Sequence, residues 1–393
     1  MNASTAFSPG TAPKQILALD GGGVRGIVSV AFIERMEALL AKHPAYGPSA
    51  RLHDVFDLVG GTSTGAIIGT AIALGMSTGD IKDFYFRLAP RVFRRSAFRI
   101  WGKSAFRFWG IRAVFDSRAL AEEIKGIVGG ITLDTDDLRT ALAIVMKRMD
   151  TGSAWIVTNN PRAKYWEDPE DGSFIGNRHY RLADLVRSST AAPYYFEPEI
   201  IAIADGETPG LFVDGGMTPH NNPALALWQV ATIPAYGFGW QSGADNLHII
   251  SIGTGEHRNR LSFESLRKMR AVSLAREALK GLINETGVQV MTLMQVLGRT
   301  DTPWYINSEI GDLHDVLLPK EPLFTFQRYN INLDQTWLQN ELGVSLTAEK
   351  VERLKQLDDV ENVPLLYELG QAAAEKFMKA EHIFPQHDTT REK

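Results

Sequence analysis

The sequence predicts an α/β fold: a mainly parallel central sheet with helices on both faces, continued by a helical C-terminal extension. Three observations lead there. From Lys14 onward, short apolar runs alternate with longer stretches of helical character, the pattern of parallel strands joined by helical crossovers. Two of these runs end in glycine-rich turns, at 20–23 and 60–65, and a third ends in Asp214, Gly215 and Gly216. Beyond Gly255 the glycine density falls and helical patterns take over.

The elements follow in order. ILALD at 16–20 is the first apolar run, Gly21, Gly22 and Gly23 make the turn, and 27–40 reads as the first helix. A loop rich in Pro and Gly leads to DLVGG, the second strand, and to a helix over 66–74. Further strands are predicted over 142–146, 154–158, 211–213 and 247–252. The first two of these form a hairpin through Asp150, Thr151, Gly152 and Ser153. Helices are predicted over 263–297 and 363–379, and no internal repeat is visible. The simplest division is a tail at 1–13, one α/β unit over 14–255, a helical extension over 256–380 packed on that unit, and a tail at 381–393.

Composition narrows the function classes. With 393 residues, 44% of them hydrophobic, the chain can bury a large core. A net charge of −5 argues against a nucleic-acid polymer as partner. There is no cysteine, so a disulfide framework, a thiol nucleophile and a Cys-based zinc site are all excluded. The N-terminal residues lack the basic and then apolar plan of a secretory signal. Two stretches without charge, 58–79 and 221–244, are interrupted by glycines, hydroxyl residues or prolines and do not read as membrane spans. The expectation is a cytoplasmic protein, at most peripheral to a membrane.

The turn at 61–65, GTSTG, raises the chemical question. A strand that turns into a helix at Gly-x-Ser-x-Gly holds the serine in strained backbone geometry with its oxygen exposed. A Cβ at Gly61 or Gly65 would collide with the neighbouring strand or helix. Ser63 also stands at the N-terminus of the following helix, where free N–H groups favour developing negative charge. The plainer alternative is a Ser or Thr cap beside a glycine turn.

A nucleophilic serine needs an oxyanion hole and a base. The amides of Gly21, Gly22 and Gly23 in DGGGVRG can supply the hole, with Arg25 as a nearby cation. The same run satisfies the G-x-G-x-x-G dinucleotide fingerprint, but the acid expected about 20 residues on, at the end of the next strand, is missing there. Of the nine histidines, none stands in a recognisable catalytic setting. Asp214 in LFVDGGM, at another strand end, is the better candidate base, with an Asx-turn as its alternative reading. A free Asp, with a pKa near 3.9, is a weak base at neutral pH.

DGGGVRG, GTSTG and DGG, in that order, resemble the patatin-like phospholipase family. RSSTAAPYYFEP at 187–198, NNP at 221–223 and ISIGTG at 250–255 are similar to its further segments, so the resemblance covers 14–255. It implies a three-layer α/β/α fold and a catalytic unit that hydrolyses fatty-acyl esters of phospholipid or lysophospholipid through a Ser63–Asp214 dyad and an acyl-enzyme. Gly21, Gly22 and Gly23 would hold the oxyanion, and Arg25, Gly61 and Gly65 would support the site. No metal or other cofactor is implied. The acidic cluster Asp134, Asp136 and Asp137 would place Arg139 where a calcium loop needs glycine, so it reads as a turn. A patatin-like effector gated by a ligand or membrane is the alternative function.

Residues 84–115 carry eight Lys or Arg, no acid and six interleaved Phe or Trp between 93 and 109. Arg91, Arg94, Arg95, Trp101 and Trp109 are the candidates for membrane or anion contact. A lid packing its aromatics inward and a basic pocket for a regulatory phosphate or nucleotide are the other readings. The methionines of 263–297 either line an adaptable acyl pocket or pack in the core. Oligomeric state is not legible.

Overall fold

A computed structural model describes residues 7, 13–93, 113–204, 209–257 and 263–384. Its centre is a nine-stranded sheet: β1 (Lys14–Leu19), β2 (Leu58–Thr62), β3 (Ala141–Arg148), β4 (Ser153–Thr158), β5 (Glu199–Ile201), β6 (Gly210–Asp214), β7 (Leu247–Ile252), β8 (Arg299–Thr302) and β9 (Thr325–Tyr329). The order is β5-β6-β3-β2-β1-β7-β9-β8, with β4 paired to β3. Pairing is parallel from β3 through β8 and antiparallel where β3 meets β4 and β6 and where β5 meets β6.

β1, β2 and β7 are buried along their whole length, as strands of a parallel sheet are when helices cover both faces. Alternation along β1 sorts its side chains. Leu17 and Leu19 enter one core with Ile27, Val28 and Phe32 of α1 (Gly26–Leu40). Ile16 and Ala18 enter the other. The remaining helices are α2 (Thr64–Ala73), α3 (Thr78–Val92), α4 (Ser117–Val128), α5 (Leu182–Ser189), α6 (Ala224–Thr232), α7 (Phe263–Lys268), α8 (Ala271–Leu297), α9 (Gln335–Leu342), α10 (Ala348–Leu354), α11 (Val363–Phe377) and α12 (Ala380–Ile383). α6 and the C-terminal part of α8 cover the second face through Leu227, Val230, Val290 and Met294. This is the three-layer α/β/α arrangement.

Residues after Gly255 do more than coat the unit before it. β9 pairs with β7 in the same sheet, and α11 lies so close to α1 that a Cβ on Gly370 would come within 2.9 Å of the Ala31 Cβ. The helix expected over 263–297 is divided, because Arg270 takes an extended conformation (φ −74°, ψ 152°) and caps α8. The hairpin through residues 150–153 joins β3 to β4 as expected.

One feature of pairing matters most for the site. β2 runs beside β3 as far as Thr62 opposite Val145. β6 takes over the same edge of β3, starting with Asp214 opposite Met146. The ends of β2 and β6 are therefore adjacent along one strand, although Ser63 and Asp214 are 151 residues apart in sequence.

Candidate active site

Ser63 occupies the turn between β2 and α2 with φ +55° and ψ −122°, a left-handed conformation rare for a residue with a side chain. Between Val55 and Ala73 it is the one residue that is not buried. The flanking glycines make the turn possible: a Cβ on Gly61 would overlap the Gly65 backbone, and one on Gly65 would overlap the Leu19 carbonyl. The strained peptide is held in place because Ser63 N–H donates to Ser189 Oγ (2.9 Å), whose own hydroxyl donates to the Val145 carbonyl (2.6 Å).

The structure brings Ser63 and Asp214 together. Ser63 Oγ donates to Asp214 Oδ2 at 2.6 Å, and Gly216 N–H donates to Asp214 Oδ1 at 2.7 Å. Among the described residues no histidine hydrogen-bonds to either side chain. Burial pushes the Asp214 carboxyl up to about 6, against the hydrogen bonds from Ser63 and Gly216 and the charge of Arg187. That removes the weakness expected of a free Asp. At pH 7 the group is mostly ionised and is a far better proton acceptor than one titrating near 3.9.

The glycine turn after β1 stands over the serine, with the Cβ position of Gly21 3.3 Å from Ser63 Cβ. One of the three expected oxyanion donors is committed elsewhere: Gly21 N–H donates to the Asn221 carbonyl at 3.0 Å. The same contact that anchors the turn takes this amide out of the set, leaving Gly22 and Gly23. Gly23, at φ +57°, carries the turn into α1. The Gly21 carbonyl accepts from Thr254 Oγ1 at 3.0 Å. Preceding the turn, the buried Asp20 carboxylate receives a bidentate pair from Arg328 of β9, at 2.6 and 3.0 Å, while Arg328 also donates to Ser251 Oγ at 2.7 Å. A fork of this kind fixes a carboxylate in orientation as well as charge, so the position of the turn depends on the C-terminal strand.

Arg25 is buried, and its Nη1 donates to His257 Nδ1 at 2.9 Å. Burial lowers it to about 10, with Tyr195, Asp20 and Tyr85 opposing, so it remains charged at neutral pH. Beside Gly21 and Arg25 opens a cavity of about 500 Å³, bounded also by Asn221, Arg328, Met291 and Trp304. Met291 is thus both core and cavity wall, whereas Met294 is core alone. Trp304 Nε1 donates to Glu256 Oε2 at 2.5 Å.

Other expectations resolve differently. Arg91 pairs with Glu123 of α4 at the surface. Arg94, Arg95, Trp101 and Trp109 lie outside the described residues. In the acidic cluster, Asp134 accepts from Thr132 (2.6 Å) and Asp137 from Thr135 (3.1 Å), and Asp134 also pairs with Arg178. These are turn contacts. Among the described residues no helix is long and apolar enough to cross a membrane. Sequence reasoning missed the roles of Ser189, Asn221 and Thr254, although the motifs quoted around them were the signal. For Arg328 and His257 there was none.

Comparison with known proteins identifies the family. The profile of the family described as patatin-like phospholipase matches residues 17–228. A Vibrio cholerae protein described as a cGAMP-activated phospholipase is 26% identical over 254 residues, covering 64% of this chain and 67% of its own length. An Escherichia coli protein described as a cUMP-AMP-activated phospholipase is 29% identical over 269 residues, covering 68% and 73%. The chain thus spans roughly two thirds to three quarters of these relatives. Among solved structures, human GIVD cytosolic phospholipase A2 aligns over 94% of this chain and 59% of its own, at 10% identity and a TM-score of 0.45.

Proposed function

The chain belongs to the patatin-like phospholipase family, and from that premise we propose a metal-independent acyl hydrolase working through Ser63 and Asp214. Membership makes it an enzyme acting on lipid esters. The observation that carries the mechanism is the 2.6 Å hydrogen bond from Ser63 Oγ to a carboxylate that burial has raised to about 6.

In the first half-reaction Ser63 Oγ attacks the ester carbonyl carbon and its proton passes to Asp214 Oδ2. The negative charge gathers on the carbonyl oxygen, where the Gly22 and Gly23 N–H groups and the N-terminal end of α2 stabilise it. Collapse breaks the ester C–O bond, and the departing alcohol takes the proton from Asp214. That leaves an acyl-serine and a carboxylate. Water then attacks the acyl carbon, giving its proton to Asp214. The second tetrahedral species releases the fatty acid as Ser63 recovers the proton. Because Gly216 N–H holds Oδ1, it is Oδ2 that faces the serine throughout.

The cavity beside Gly21 suits the polar part of the substrate. An acyl chain placed among Asp20, Arg25, Arg328 and Glu256 would strip water from charges without replacing it. The test is fatty-acid release from mixed phospholipid vesicles, read by mass spectrometry with calcium chelated. Release by the wild type and none by Ser63→Ala supports the reading, and equal release by both overturns it.

A second reading, hydrolysis gated by a small ligand, is favoured by the relatives described as cGAMP-activated and cUMP-AMP-activated phospholipases. Adding either cyclic dinucleotide to the same assay separates the two. A rate that rises only in its presence selects the gated form.

A further inference from the structure

α7 and the first half of α8 expose Phe263 (77%), Leu266, Leu274 and Leu282 (61%), and Tyr305 of the cavity wall is exposed as well. Leu274, Ala278 and Leu282 recur at every fourth position and are all exposed, so they form one stripe along the helix. The C-terminal half of α8 behaves differently: Val290, Met291 and Met294 are buried in the core. A single helix thus anchors one end in the molecule and presents apolar side chains to water at the other.

Charge and position say what meets this face. Residues 263–282 carry five Lys or Arg against two Glu, in a chain whose net charge is −5. Arg267 and Arg270 are exposed beside Phe263 and Leu266. Large apolar side chains flanked by cations are the composition of a helix that lies in the headgroup region of an anionic bilayer. Gly281, Ile283 and Glu285 of α8 also wall the cavity that reaches Gly21, the residue whose Cβ position lies 3.3 Å from Ser63 Cβ. The exposed stripe of α8 therefore borders the cavity beside Gly21.

We propose that α7 and the N-terminal half of α8 form the surface on which this protein docks to an anionic lipid bilayer, with the cavity mouth turned towards the headgroups. The proposal rests on the lipid-ester reading above and names the physical form in which the substrate is met. It assigns the contact to 263–282, a segment distinct from the basic aromatic stretch at 84–115. Docking places a lipid ester within reach of Gly21 and Ser63 without its leaving the interface for bulk water.

Two variants test this, neither touching a residue that walls the cavity. One replaces Phe263, Leu266, Leu274 and Leu282 together by Ser; the other is Arg267→Glu with Arg270→Glu. Each is assayed for hydrolysis of a soluble short-chain ester, for co-sedimentation with vesicles of phosphatidylglycerol and phosphatidylcholine or of phosphatidylcholine alone, and for fatty-acid release from the same vesicles. We expect ester hydrolysis within about twofold of wild type and a loss of about tenfold or more in binding to, and release from, anionic vesicles. The charge variant should lose little on phosphatidylcholine alone. Undiminished vesicle binding by both variants overturns the proposal. So does a change in oligomeric state of the serine variant, seen by light scattering, with vesicle binding intact, since the face is then an interface between copies. If the wild type binds vesicles but hydrolyses no ester, the hydrolase reading fails and the docking surface stands.

Discussion

Asp20 follows β1 and Asp214 closes β6, each buried and followed by glycines, three in the first case and two in the second, yet one faces a guanidinium and the other a serine hydroxyl. Burial raises both carboxyls, but Arg328 opposes it at Asp20 with two charge-assisted hydrogen bonds, whereas Asp214 has a hydroxyl and an amide. The first carboxylate is locked and holds a turn. The second, in the proposed mechanism, exchanges a proton with Ser63. What separates them is the residue that long-range pairing delivers, Arg328 from β9 in one case and Ser63 from the end of β2 in the other.

The comparison is broken most severely at Ser63 and Asp214, the pair proposed to react. Ser63→Ala and Asp214→Asn should each lower ester hydrolysis by about a thousandfold or more with an unchanged circular dichroism spectrum, because neither side chain belongs to the core. Near-normal turnover by either folded variant contradicts the dyad.

Removing the partner at the other carboxylate should act on stability. Arg328→Met leaves Asp20 buried and uncompensated, at an expected cost of about 3–5 kcal/mol in denaturant unfolding, with activity falling as the glycine turn loses its anchor. Asp20→Asn in the same chain should recover much of that stability, since the uncompensated charge is gone. An Arg328→Met protein as stable as wild type means that the fork does not hold the turn.

The raised pKa of Asp214 sharpens the contrast through pH. Its carboxyl is protonated in folded and unfolded chains below about pH 4 and ionised in both above about 6, so its burial costs stability fully above 6 and not at all below 4. Asp214→Asn should therefore be the more stable protein at pH 8, by on the order of 3 kcal/mol, with the advantage fading as pH falls through 6 to 4. Turnover by the wild type should fall about tenfold per unit below pH 6 as the base is protonated. A gain in stability that does not vary with pH dissociates it from this titration.

The smallest effect is expected at Arg91→Ala. Its ion pair with Glu123 is at the surface, and thermal unfolding should change by less than about 1 kcal/mol.

Much of this was legible because it is local. A serine between glycines at a strand end, and an acid before two glycines, state their geometry within five residues, and the mostly apolar runs of β1 (KQILAL) and β7 (LHIISI) announce buried parallel strands. β8 (RTDT) and β9 (TFQRY) were missed because polar residues carry much of their sequence, and they become strands by pairing with each other and with β7. β5 is only three residues long, too short for a periodic signal. The commitment of Gly21 N–H to Asn221 and the arrival of Arg328 at Asp20 join residues 200 and 308 positions apart. No window along the chain contains such pairs. Sheet order creates them.

The central claim is that Ser63 is the nucleophile and Asp214 its base. The most direct measurement is labelling with a long-chain alkyl fluorophosphonate, followed by peptide mass spectrometry across a pH series. The account predicts a single phosphonyl adduct on the peptide bearing Ser63, forming more slowly below about pH 6 and scarcely at all in Asp214→Asn. An adduct on another serine such as Ser189, or labelling of Ser63 at a rate indifferent to Asp214 and to pH, would contradict it.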